Sequence, residues 1–378
     1  MNPLTLAVLL LLLLSAFVPA QGTKNVRPSS TSLTSCEVPG ARPGAKEKVL
    51  CGSYEVYENQ AAKRGRKIAL KIVVFPATGP EKAADPVFYI PGGPGSSATE
   101  EAPFIAAQLS KIRVRRDLVF LDQRGTGGSN PLNCDLFNPA DLQSYFGDYF
   151  PLADVRKCRE QLERKADLKL YTTPMAMDDL DEVRAALGYD QINIYAGSYG
   201  TRAALDYLKR YAKHARAVVM HGVSLTGQPM PRDFPQDTER ALGGILDACA
   251  ADAACHAAFP RLRAEVKTVL ERLLQGSVEV ELKDPKTGAL TKVRLTRDLA
   301  AEAIRYMLYS PGAASRIPLY VHLAAQGNYS PIAEFALSYR QRFAAGSNGS
   351  GMYLSVTCAE DLPRIKPGEG ERNAVKTF

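Results

Sequence analysis

The chain contains no tryptophan and only four histidines in 378 residues. No two cysteines form a C-x-x-C pair, and no Cys/His cluster has the spacing of a zinc site, so no metal is expected. No stretch beyond Val18 is apolar enough to cross a bilayer. Charge of one sign is never gathered into a tract: the net charge of +7 is spread along the chain. The densest basic groups, Lys63-Arg64-Gly65-Arg66-Lys67 and Arg113-Val114-Arg115-Arg116, border strand-like segments and read as solvated loops. Nothing resembles a nucleic-acid module, an internal repeat, a low-complexity tract or a cofactor motif, so neither a nucleic-acid partner nor a cofactor is expected.

What is present suits a folded, exported protein. Composition is 46% hydrophobic with 29 Gly and 25 Pro, enough for a sizeable core. Residues Leu4 to Val18 form an apolar run followed by Val18-Pro19-Ala20, which reads as a signal peptide, 1–20, cut after Ala20. The run is short for a membrane anchor, and a polar segment follows at once, so no stable span is expected after cleavage. Export to a secreted or periplasmic location permits disulfides among the seven cysteines. Cys249–Cys255 is favoured because both lie in one short segment. Cys36–Cys51 would pin the leader to the first strand, Cys134–Cys158 then remains, and Cys358 is left over.

Residues 21–45, rich in Ser, Thr, Pro and Gly, read as a loose leader. A core follows over 46–227. Its strand-like segments Lys48 to Tyr57, Lys67 to Phe75, Pro86 to Ile90, Asp117 to Leu121, Gln191 to Tyr195 and Ala217 to Met220 alternate from Pro86 onward with helical ones. Short runs apolar on both faces suit a parallel sheet covered by helices, an α/β fold. Residues 228–345 are mostly helical, interrupted by a hairpin from Val278 to Leu295, and read as a cap inserted into the sheet domain. Residues 346–378 begin the return to the core.

The segment that carries chemistry is Ile192-Asn193-Ile194-Tyr195-Ala196-Gly197-Ser198-Tyr199-Gly200-Thr201. A strand, a turn of small residues around one serine, and a helix form a nucleophile elbow. The turn is tight, so the neighbours must be small, and the following helix aims its N–H groups at a developing oxyanion. The usual pattern has Gly two residues before the serine, where this chain has Ala196. Upstream, the strand ending at Ile90 runs into Pro91-Gly92-Gly93-Pro94-Gly95, a loop whose backbone can approach a substrate carbonyl.

Three motifs then occur in order: Tyr89 to Gly95, Phe120-Leu121-Asp122-Gln123-Arg124-Gly125-Thr126-Gly127-Gly128-Ser129, and Gly197 to Arg202. With them, residues from about 48 to 362 resemble the prolyl aminopeptidase and tripeptidyl aminopeptidase branch of the α/β-hydrolases. Ser355 to Asp361 fits as well. The resemblance implies an α/β-hydrolase sheet flanked by helices with an inserted, mostly helical cap. It makes Ser198 the nucleophile, the N–H groups of Gly93 and Tyr199 the oxyanion hole, and Asp122, Gln123 and Arg124 a structural turn. Small peptides would be the substrates, and N-terminal residues would be released through an acyl-enzyme. Pro91 stands where many relatives carry His.

A serine needs a base, and chain order in this fold is Ser, then Asp or Glu, then His. His214, His221, His256 and His322 each read as structural. The triad Asp and His are therefore not expected in this chain. The expectation is C-terminal truncation, with part of the sheet missing and this form inactive. An ester hydrolase on the same scaffold and a non-catalytic secreted binding protein stay open as alternatives.

Overall fold

The computed structural model describes residues 32–344 and 349–370. Residues 1–20, expected to be a signal peptide, lie outside them. One seven-stranded sheet organises the core. Its strands are β1 (Thr34–Pro39), β2 (Lys46–Tyr57), β3 (Lys67–Phe75), β4 (Val87–Ile90), β5 (Leu118–Leu121), β6 (Ile192–Gly197) and β7 (Ala215–His221). They lie in the order β1-β2-β3-β5-β4-β6-β7.

The sheet is mixed, not parallel throughout. β1, β2 and β3 pair antiparallel in sequence, and β3 joins β5 antiparallel; β5, β4, β6 and β7 run parallel. The loops 40–45 and 58–66 are too short for the crossover that parallel neighbours need, so they can only turn back. Part of the segment expected as loose, 21–45, is accordingly strand: β1 zips onto β2, and the Cys36–Cys51 disulfide ties the two. Cys134–Cys158 and Cys249–Cys255 are also formed, and Cys358 is free and exposed.

β4 and β5 are buried at every position, as their unbroken apolar sequences require. Helix α1 (Ala98–Gln108) covers one face, packing Ala98, Ala102 and Ile105 with Phe75, Tyr89 and Phe120. After α2 (Leu152–Glu163), helices α3 (Thr173–Ala186) and α4 (Tyr199–Tyr211) cover the other face, where Leu180, Val183, Ala203 and Tyr207 meet Ile72, Phe88 and Ile194. Pro174 sits in the first turn of α3, where its missing N–H costs nothing. β7 is not the buried strand its apolar sequence suggests. It is the sheet edge among the described residues, and Val219 is 60% exposed.

The cap comprises α5 (Phe234–Ala251), α6 (Ala253–Ala258), α7 (Leu262–Gln275), the β8 (Val278–Lys283) and β9 (Leu290–Leu295) hairpin, α8 (Arg297–Met307), α9 (Ile317–Ala325) and α10 (Ser330–Arg342). It has its own apolar cores, one around Leu295, Leu299 and Ile332, the other around Leu242, Met307 and Val321. Helix α11 (Ser350–Val356) then returns the chain to the sheet domain. No helix of the described residues is long and apolar enough to cross a membrane.

Cys36 and Cys51 close a loop with a sequence separation of 15, which by chain entropy is worth about 3 kcal/mol. Equilibrium urea unfolding of a Cys36→Ser, Cys51→Ser variant is expected to show a loss of that size. An unchanged midpoint would mean that β1 is held by strand pairing alone.

Candidate active site

The turn between β6 and α4 is built by contacts that admit few residues. Ser198 has φ 52° and ψ −125°, a left-handed conformation that side chains rarely adopt. Strain of this kind persists only where the surroundings over-determine it. Here its N–H donates to His221 O at 3.0 Å and its carbonyl accepts from the Thr201 N–H and Oγ1 at 2.9 and 2.7 Å. Thr201 Oγ1 in turn accepts from the Ser224 N–H, fixing the loop after β7 to the turn. A Cβ on Gly200 would stand 2.2 Å from Ile90 O, and one on Gly197 would stand 2.6 Å from His221 Nε2. Small residues on both sides are thus demanded by the end of β4 and by the imidazole.

The Gly-rich loop after β4 reaches the serine directly. A Cβ on Gly92 would lie 3.1 Å from Ser198 Cβ, so this backbone is in contact with Ser198. Gly93 has φ 110° and is exposed, and the α4 N-terminus begins at Tyr199. Ser198 itself is exposed and lines a cavity of 860 Å³, whose other walls include Gly93, Val223, Asp233, Asp237, Glu302, Arg305 and Tyr353. The cavity thus lies between the sheet domain and the cap.

Asp122, Gln123 and Arg124 do not face the cavity. Asp122 is fully buried and accepts from Ser97 Oγ, Thr99 N, Thr99 Oγ1 and Gly128 N at 2.8–2.9 Å, which anchors the first turn of α1. The Gln123 carbonyl caps the Thr126 turn. Arg124 makes a two-point ion pair with Asp179 of α3 at 2.6 and 2.7 Å and donates to Glu58 O and Leu170 O. Burial pushes the Asp179 carboxyl up, and the Arg124 guanidinium works against that shift.

A second buried cluster carries residues whose roles the motifs did not disclose. The Tyr199 hydroxyl shares a hydrogen bond with Thr173 Oγ1 at 2.7 Å, and Glu360 accepts from the Thr173 N–H and Oγ1 at 2.6 and 2.9 Å. Arg202 pairs with Asp361 at 2.8 Å. Gly349 N donates to Gly95 O, and Gly351 N to Leu132 O, both at 2.8 Å. The segment 349–361 therefore holds both the glycine loop and the helix behind the serine. Only the position of Ser355 to Asp361 at the end of the motif order hinted at this.

Three of the histidines lie apart from the serine turn, and the fourth, His221, packs against it at Gly197. His214 bonds Asp181, His322 bonds Glu265, and His256 is exposed on α6. His221 stacks on Tyr195 at 5.2 Å between ring centroids. Among the described residues no hydrogen bond joins Ser198 Oγ to a histidine.

A parallel-stranded core with a strained serine between strand and helix, a glycine loop against it and a cap above is the architecture of an α/β hydrolase, and the chain has that fold. The family model described as the alpha/beta hydrolase fold matches residues 85–263. Known proteins similar in sequence include the following three. The serine protease Hip1 of Mycobacterium tuberculosis is 26% identical, the alignment covering 89% of this chain and 66% of that protein. The tripeptidyl aminopeptidase of Streptomyces coelicolor is 29% identical over 46% of this chain and 35% of its own. The proline iminopeptidase of Neisseria gonorrhoeae is 25% identical over 37% and 33%. The chain spans just under two thirds of the length of the mycobacterial relative and about a third of the other two.

Arg124 tests the buried frame. Removing it leaves Asp179 as an uncompensated buried charge, so Arg124→Met is expected to cost about 3–5 kcal/mol in denaturant unfolding. Arg124→Met with Asp179→Leu should recover most of that loss. A single variant as stable as the parent would show the pair to be dispensable.

Proposed function

We propose that this protein is an exported serine hydrolase that cleaves peptides through an acyl-enzyme on Ser198. The observation that carries the reading is the strained Ser198 turn with the Gly92-Gly93 backbone packed against it. Sequence similarity to a serine protease and two aminopeptidases supports peptides as the substrate class. Three disulfides support an oxidising, extracytoplasmic location.

In this reading Ser198 Oγ attacks the scissile carbonyl from the cavity floor. Its proton passes to a general base and on to the departing amine as the peptide C–N bond breaks, and water then hydrolyses the acyl ester. The N–H groups of Gly93 and Tyr199 receive the oxyanion, the second reinforced by the α4 dipole. None of the four histidines is assigned as the base. Release of N-terminal residues fits a site covered by a cap, which limits how much chain can enter beyond the scissile bond. An aminopeptidase must hold the substrate ammonium, and Asp237 is the cavity carboxylate most available for it. Its Arg240 partner is mostly exposed, and such a surface pair is weak and readily exchanged. By contrast, Glu302 is committed to Arg340 through two hydrogen bonds, at 2.8 and 2.6 Å.

A fluorophosphonate probe on the full-length natural protein should label Ser198 alone. Ser198→Ala should abolish labelling and lower peptide turnover on the order of a million-fold. Labelling or turnover that survives the substitution would place the nucleophile elsewhere. Gly93→Val, at φ 110° and with its Cβ 2.6 Å from Gly95 N, should cost roughly a hundred-fold or more in turnover. A soluble Gly93→Val protein with parental turnover would remove this loop from the oxyanion hole.

A further inference from the structure

The cavity over Ser198 holds a charged group that acyl transfer does not use. Its three carboxylates are each met by an arginine. Asp233 is gripped by Arg232 through two hydrogen bonds of 2.8 Å, Glu302 by Arg340, and Asp237 by Arg240. Arg305, one turn along α8 from Glu302, stands differently. Its guanidinium carbon lies 4.1 Å from the Phe234 ring centroid and 4.9 Å from that of Tyr306. One N–H donates to the Tyr309 hydroxyl at 2.9 Å. Among the described residues no carboxylate forms an ion pair with it.

The contrast with Arg340 is informative. Arg340 is 2% exposed and is held by a carboxylate and by Gly147 O, as a structural arginine must be. Arg305 is only half-buried and lines the cavity with Ser198. Aromatic rings grip the flat faces of its guanidinium and fix its orientation, while phenols engage only part of its five donors. The remaining edge is a pre-oriented fork, and a fork of N–H groups matches the two oxygens of a carboxylate. Apolar rings around it lower the local dielectric and strengthen any such pair.

We propose that Arg305 is a specificity determinant that binds a carboxylate of the peptide substrate in the cap half of the Ser198 cavity. The carboxylate is either an acidic side chain or the free α-carboxylate of a short peptide. This inference rests on the peptide-hydrolase reading for its ligand class, but its test does not depend on turnover.

The test is calorimetric titration of the full-length natural protein carrying Ser198→Ala, which keeps the ligands intact. One pair of C-terminally amidated tripeptides differs as Glu against Gln, and one all-alanine pair differs as free acid against amide. At least one acid is expected to bind about ten-fold or more tightly than its neutral partner. The pair that shows the preference identifies the source of the carboxylate. Arg305→Gln should bring that ratio to about one while leaving the neutral peptide's affinity within about two-fold, and Arg305→Lys should leave an intermediate ratio. Ratios near one in both pairs for the Ser198→Ala protein, or a preference that survives Arg305→Gln, would overturn the proposal. If Arg305→Gln does not fold, the parent ratio and Arg305→Lys still decide. A carboxylate preference found together with fluorophosphonate labelling away from Ser198 would sink the nucleophile and leave Arg305 standing.

Discussion

Glycine 200 crosses so near the end of β4 that a single methyl group would sit 2.2 Å from the Ile90 carbonyl oxygen. That approach brings the first turn of α4 onto the strand whose continuation is the glycine loop. Two pieces of chain about a hundred residues apart therefore meet at Ser198 with no side chain between them. The positive φ of Ser198 follows from this closeness, because the chain must reverse from strand to helix in one residue. The hydrogen bonds from the Ser198 N–H to His221 O, from Thr201 to the Ser198 carbonyl, and from the Ser224 N–H to Thr201 Oγ1 keep that reversal from relaxing.

Around this crossing the protein places buried charge with its partners supplied. Asp122 receives four hydrogen bonds from the start of α1 and the loop after β5. Arg124, two residues on, reaches the opposite face of the sheet and locks onto Asp179. One short loop thus grips a helix on each side of the sheet. Such pairs add little net stability against apolar alternatives, but breaking one is costly, so the arrangement favours a single geometry over many.

The parts of the fold and site legible in the sequence are those governed by local chemistry. Alternation of apolar runs and helical periods from Pro86 to Met220 marks strands and helices because each must bury a face, and Gly197, Gly200 and the Gly92-Gly93 loop mark places where backbones touch. The antiparallel turn at the N-terminal edge was obscured because β1 is polar and half-exposed, and its pairing depends on β2. β7 looked buried since its residues are apolar, yet burial is decided by neighbours. The bonds from Glu360 to Thr173 and from Asp361 to Arg202 join residues 187 and 159 positions apart, and no window of sequence displays such a partner. Arg305 was equally silent, because an arginine on an amphipathic helix reads as surface until the rings around it are seen.

The bracing of the serine turn by residues 349–361 bears on the order in which the protein is assembled. Synthesis makes the elbow first, then the whole cap, and only afterwards the glutamate and aspartate that tie down α3 and α4. Contacts of such sequence separation form late, after the entropy of closing a long loop has been met. The strand and helix that flank Ser198 are therefore made before the residues that clamp them, and the turn gains its clamp only when residues 349–361 dock. The site around Ser198 is thus completed by residues that follow the whole cap in the chain.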